Sequence, residues 1–200
     1  MIDKHHMLMD YKGLKAYVIA LLKEGLPNEL SYHGLRHTLD VLASVENYLK
    51  EEKIEDPRQQ ELLKVGALLH DSGFTKSYEN HEENGVLLSN EILPKYGYCQ
   101  KDIELVSGLI MATKVPQSPQ NHLEQILCDC DLDYLGRSDF EEISQTLFKE
   151  WKALGLIQSL AEFNEKQIKF LESHSFFTKF AKSQREPNKN KQLLKLKSNH

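Results

Sequence analysis

The chain has 200 residues, 40% hydrophobic and 28% charged, enough to bury one core and short for two, so a single domain over 1–200 is expected. Its formal charge of −5 gives no general attraction to polyanions and argues against a nucleic-acid polymer as partner, while a bound cation would still admit a small phosphorylated ligand. No apolar run approaches the roughly 18 to 20 residues of a membrane span, and Cys99, Cys128 and Cys130 lack the pairing of a disulfide framework, so a cytoplasmic protein without membrane association is expected.

In chain order, His5 and His6 stand in a polar N-terminus and receive no role. The apolar period is helical throughout, and no stretch alternates like a strand. A first helix is predicted over 8–24, stopped by Gly25-Leu26-Pro27. A second runs over 33–52, where Leu35, Leu39, Leu42, Val45 and Leu49 recur at spacings of three or four and His33, His37 and Val41 share a stripe. A third starts near Pro57, carries Leu63, Ala67 and His70 on one face, and ends at His70-Asp71-Ser72-Gly73. Further helices are expected over 80–94, 101–113, 121–134, 139–153 and 160–182, with Pro116 and Pro119 breaking the stretch 114–121. The fold class is therefore all-α, one compact helical bundle with short connections. From Lys179 onward there are seven Lys or Arg against one Glu, read as a final basic helix or a frayed, solvated tail over about 183–200 rather than a phosphate-binding arm. Trp151, Tyr134 and Phe176-Phe177 are read as core, and Cys128 and Cys130 as small buried residues.

Three elements carry chemistry. In His33-Gly-Leu-Arg-His37, two imidazoles four apart on a helix face one place, as two ligands or as one ligand and one acid/base. In Leu68-Leu69-His70-Asp71, an apolar run draws an imidazole and a carboxylate inward, where the carboxylate needs a cation, donors or a metal. In Ile126-Leu-Cys-Asp-Cys-Asp-Leu-Asp133, three acids alternate inside an apolar helix pattern and cannot all reach solvent.

A histidine, then a His-Asp pair after a buried helix, then an Asp in a late helix resembles the H…HD…D pattern of the HD superfamily of metal-dependent phosphohydrolases, over roughly 33–136, with C-terminal helices 139–182 outside it. The resemblance implies a helical HD-type domain and a metal held by His37, His70, Asp71 and Asp131, with Asp71 also counted as catalytic. It selects Asp131 because HD proteins often show Asp-Ala-Asp-Leu there, leaving Asp129 and Asp133 as supporting or helix-surface residues, Asp129 as one that orients a ligating histidine. Two imidazoles and two carboxylates form a mixed nitrogen and oxygen site open to water and a phosphoryl oxygen, suited to a divalent Mn, Fe, Co, Ni or Mg ion.

The stretch Tyr32-His33-Gly34-Leu35-Arg36-His37 is similar to the His-Asn-x-x-His entrance of cyclic-nucleotide phosphodiesterases, whose first histidine protonates the leaving group; Gly34 replaces the Asn. That likeness implies His33 as proton donor. His81, ten residues after Asp71, resembles a further histidine of phosphodiesterase-like members and implies a second-metal or substrate contact. The segment Ile110-Met-Ala-Thr-Lys114 offers no histidine, so one tightly held ion is expected, with a weaker second ion at Asp71 and His81. Lys76, Lys114 and Arg137 lie where they could neutralise a phosphate, and Lys114 and Arg137 are named as candidates. The expected activity is hydrolysis of a phosphoester of a small, nucleotide-like substrate. The alternatives are a silent HD domain that binds nucleotides or serves signalling, and an iron-dependent oxygenase, which would require further histidine ligands. Substrate and oligomeric state are not encoded in these motifs.

Overall fold

Polar caps and apolar stripes set the helices. A computed structural model, which describes residues 9–198, contains ten α-helices and three short 3-10 turns among the described residues, and no strand. Helix α1 (Tyr11–Gly25) begins where the Asp10 carboxylate accepts a hydrogen bond from Gly13 N, three residues later than the sequence predicts, and buries Leu14, Val18 and Leu22. His5 and His6 lie outside the described residues. Helix α2 (Leu35–Glu51) buries His37, Val41, Val45 and Tyr48, and α3 (Pro57–Leu69) follows the Asp56 cap and a first-turn proline. Residues 65–69 of α3 are all buried, as in a helix enclosed by others. At Gly66 an added Cβ would stand 2.9 Å from Leu109 Cδ1, so the absence of a side chain lets the neighbouring helix close on α3.

That neighbour is α5 (Gln100–Ala112), reached through α4 (His81–Ile92); α6 (His122–Asp131) then packs on α2, α3 and α5. Gly73, in the 3-10 turn Ser72–Thr75, meets the start of α4 so closely that a Cβ would fall 1.8 Å from His81 O. The chain continues as α7 (Phe140–Ala153), α8 (Leu160–Ser173), α9 (Lys179–Gln184) and α10 (Glu186–Ser198). None of the described helices is long and apolar enough to cross a membrane.

Two sequence expectations are corrected here, and the choice left open for the basic end falls to the helix. Helix α2 begins at Leu35 with Gly34 as its extended N-cap, so His33 lies in the preceding turn and not on the helix of His37. The stretch 160–182 is two helices, because His174 turns extended after α8 and the Asp129 carboxylate accepts from Phe177 N and Thr178 N, both at 2.8 Å. The basic end is a helix packed against α8 and the 3-10 turn Asp133–Gly136, and Lys189 within it is 1% exposed, paired with Glu186 at 2.6 Å and donating to His174 O.

Candidate metal centre and cavity

The ends of three helices meet at one point. His37 sits in the first turn of α2, His70 is the residue capping α3 with Asp71 after it, and Asp131 is the last residue of α6. His70 Nδ1 donates to Ala67 O at 2.9 Å, which turns Nε2 inward. His37 Nε2 lies 3.3 Å from His70 Nε2 and 3.0 Å from Asp131 Oδ1, and His70 Nε2 lies 3.4 Å from that oxygen. These three residues form a metal-sized group. Asp71 stands beside it, its Oδ2 at 3.2 Å from His70 Nε2 and 3.5 Å from His37 Nε2.

The donor set fits a cation. Adjacent donors about 2.1 Å from a shared ion stand about 3.0 to 3.4 Å apart, close to the separations seen. Asp71 Oδ2 is buried and accepts no well-formed hydrogen bond among the described residues, which leaves its charge facing the cluster. Burial opposes an imidazolium at His70, yet Asp71 and Asp131 hold its pKa well above the ordinary histidine value. Burial likewise opposes ionisation of both carboxyls, but His70 pulls Asp71 far below the usual range, and His37 with His70 brings Asp131 to about 2.

His33 reaches the same place by another route. Glu150 of α7 is 0% exposed; its Oε2 accepts from Tyr32 N at 2.8 Å and His33 N at 3.0 Å, and its Oε1 accepts from His33 Nδ1 at 2.5 Å. Burial lowers the His33 pKa, but the bond to Glu150 and the Asp71 charge outweigh it and raise the value above normal. The His33 and His37 rings stand 6.1 Å apart, edge to face. His33, Asp71, His81 and Asp131 line a cavity of about 400 Å³, the size of a small-molecule site. Its far walls are Leu147 and Trp151 of α7 and Phe163 and Phe170 of α8.

No protein-family model matches this sequence. A protein of Clostridium beijerinckii described only as uncharacterized is 33% identical over 89 residues, a match covering 43% of this chain and 55% of that protein, so the alignment spans about half of the relative's length. A crystal structure of a predicted HD superfamily hydrolase from an uncultured Thermotogales bacterium superimposes with a TM-score of 0.61 at 18% identity, covering 95% of this chain and 97% of the other. The chain shares the all-helical fold of that structure.

Within this fold the remaining candidates separate. His81, first residue of α4, places Nε2 3.8 Å from Asp71 Oδ1 and 3.4 Å from Glu82 Oε1, with its ring stacked on Phe74 at 3.9 Å. Burial lowers its pKa despite the Asp71 and Glu82 charges, which favours the neutral ring with a lone pair. Lys114 lines the cavity and is ion-paired with Glu83. Lys76 is exposed and outside the cavity lining. Arg137 is also outside it, its guanidinium held by Asp40 at 2.9 Å and Asp139 at 2.7 Å, which corrects its candidacy as a phosphate ligand. Asp129 and Asp133 are both buried, not helix-surface residues: Asp129 serves the 177–178 backbone and orients no histidine, and Asp133 accepts from Tyr48 Oη at 2.8 Å and Arg185 Nε at 2.7 Å.

Tyr134 is core, as expected, and also lines the cavity; Trp151, read as core, is half-buried and lines the cavity; Phe176 is core, while Phe177 is half-buried. Cys128 and Cys130 are buried thiols as expected, Cys128 Sγ donating to Ala112 O at 3.1 Å. Sequence reasoning missed Glu150 and Glu82. Glu150 had a signal, since it stands seven and three residues after Ile143 and Leu147, on the face of α7 that packs on the core, where an unpaired acid is costly.

Proposed function

We propose that this chain is a metal-dependent phosphohydrolase of the HD superfamily, cleaving a phosphoester of a small, nucleotide-like substrate with water as the nucleophile. The observation that carries the reading is the convergence of the His37, His70, Asp71 and Asp131 donors with the Glu150-held His33 on one cavity. The similarity to a structure described as a predicted HD superfamily hydrolase agrees with it. His37, His70, Asp71 and Asp131 would hold a divalent ion, which would supply Lewis acidity toward a phosphoryl oxygen and acidify water.

The chain's own residues supply the rest. Glu150 accepts from His33 Nδ1 and, with the Asp71 charge, favours the imidazolium, whose second proton on Nε2 passes to the departing ester oxygen and leaves a neutral ring still bonded to Glu150. Asp71 has one oxygen toward His70 and the other toward His81, and His81 would hold either a weaker second ion or the phosphoryl group. Lys114 faces the substrate from the cavity rim. The buried walls exclude water from the leaving group.

The test is a metal-supplemented screen of the purified protein against phosphomonoesters, cyclic mononucleotides, cyclic dinucleotides and nucleotides. Turnover abolished by chelation is expected. His33→Ala should retain the metal and lower kcat by about 10² to 10⁴, with a much smaller loss on an aryl phosphate whose leaving group needs little protonation. Full metal occupancy with no turnover of any phosphoester would overturn the assignment.

A further inference from the structure

A phosphoryl group brought to this cavity finds few free cations. Lys114 and Lys166 line it, but their side chains are 42% and 50% exposed and stand next to Glu83 and, at 3.8 Å, Glu162. Arg137 and Lys76 do not line it, and Asp71, Glu82 and Asp131 add carboxylates to its wall. Two tyrosines stand in the same wall, Tyr32 at 7% and Tyr134 at 5% exposed.

Both phenols lie at the end of the cavity that bears the metal donors. The Tyr32 ring is 4.6 Å from that of His33 and 4.7 Å from that of His37, and it meets the Tyr134 ring edge to face at 5.7 Å. Tyr134 follows Asp131 by three residues, in the 3-10 turn Asp133–Gly136, and its ring stacks on Phe140. Burial opposes ionisation of both phenols; beyond that, the contact between their hydroxyls opposes it further at Tyr32 and favours it at Tyr134, so Tyr32 donates and Tyr134 Oη accepts. The Tyr134 proton is thereby left over, and no acceptor among the described residues takes it. Unlike Tyr98 Oη, which is closed off without a partner, Tyr134 Oη is not a sealed atom and is open to a molecule in the cavity that its side chain lines. A buried donor without an acceptor is unfavourable, and a ligand oxygen removes that cost.

We propose that Tyr134 is a further catalytic residue, its hydroxyl donating to a non-bridging oxygen of the phosphoryl group. This rests on the phosphohydrolase reading. The proton stays on Tyr134 throughout, and the charge of the accepting oxygen makes the bond a strong one. Tyr32 is the positioning residue, since its own proton occupies the Tyr134 oxygen and turns the remaining proton away from it. The pair does with neutral donors what a free arginine would do, in a wall already rich in carboxylates.

The experiment uses the metal-loaded protein and Tyr134→Phe, which keeps the ring and removes the hydroxyl. kcat/KM should fall by about 10- to 100-fold, the loss expected for one hydrogen bond to a charged group. The fall should be the same on an aryl phosphate and an alkyl phosphate, because a bond to a non-bridging oxygen is indifferent to the leaving group, in contrast to His33→Ala. Affinity for orthovanadate, read by titration without turnover, should weaken by a similar factor while metal content and melting temperature are kept. Tyr32→Phe leaves the Tyr134 proton in place and should lose less, with the same indifference to leaving group; it carries the test if Tyr134→Phe fails to fold. Unchanged kcat/KM and vanadate affinity, loss of metal from Tyr134→Phe, or a loss confined to the alkyl phosphate would overturn the proposal. Failure of the hydrolase reading shows separately, as absence of turnover of every phosphoester by the unmodified protein, and the vanadate titration still decides there whether Tyr134 holds a phosphate-like anion.

Discussion

Replacing Glu150 by glutamine keeps the shape of the side chain and removes its charge. The amide oxygen can still accept from Tyr32 N and His33 N, now at 2.8 and 3.0 Å, but the amide nitrogen then faces His33 Nδ1, where donor meets donor. The imidazolium loses a charge-assisted bond of about 1.5 to 3 kcal/mol and gains at best a neutral one of about 0.5 to 1.5 kcal/mol. The difference, about 1 to 2 kcal/mol, corresponds to roughly one pKa unit. His33 is held above its ordinary value in the native protein, so the acid form persists below that raised pKa and is lost as pH rises through it. Glu150→Gln lowers the pKa and moves the alkaline limb of kcat to lower pH by about one unit. The assay is a kcat–pH profile on metal-loaded protein with metal content measured at each end. Metal should stay bound, because Glu150 touches none of the four donors. A uniform fall in rate with the limb unmoved would refute the acid role and reduce Glu150 to a clamp on the turn before α2.

The donor set predicts a divalent metal in the purified protein, lost in His70→Ala, Asp71→Ala and Asp131→Ala, and a melting temperature that drops on chelation because the ion binds only the folded chain; undiminished metal in all three variants would refute the site. Gly73→Ala should lower the melting temperature by more than an ordinary overpacked site, about 1 to 3 kcal/mol, since its Cβ would lie 1.8 Å from His81 O and 2.6 Å from Gly85 N, both backbone atoms. An unaltered melting curve would refute that contact. Asp129→Ala removes the acceptor of two amides, Phe177 N and Thr178 N, at about 1 to 3 kcal/mol for each group left unpaired. Faster hydrogen exchange should appear at those amides, and exchange equal to that of the unmodified chain would contradict the clamp.

The helices were legible because apolar period and caps coincide: Asp56-Pro57 starts α3 and the buried run 65–69 follows. The cage was legible because its donors stand at helix ends within motifs of fixed order, and His33 was singled out for a geometry it does not have. It reaches the cage as a turn residue tied to Glu150, 117 positions away, a pairing that no local spacing encodes. Arg137 illustrates the reverse difficulty, since its acidic partners Asp40 and Asp139 come from α2 and from the turn before α7. The split at 174–178 was hidden because the helical pattern runs through it, and the break depends on an acceptor from α6.

The metal donors come from α2, α3 and α6, whereas the far walls of the cavity come from α7 and α8. On the proposed function, binding of the ion and choice of leaving group are thus written on different stretches of chain. Mutations in 147–170 can drift through new leaving groups while the ion stays in place, which makes this half of the molecule the natural target for diversification. Glu150 is the exception that ties the halves together, for it lies among the wall residues and serves the proton donor. A library built on α7 and α8 should hold that one position fixed.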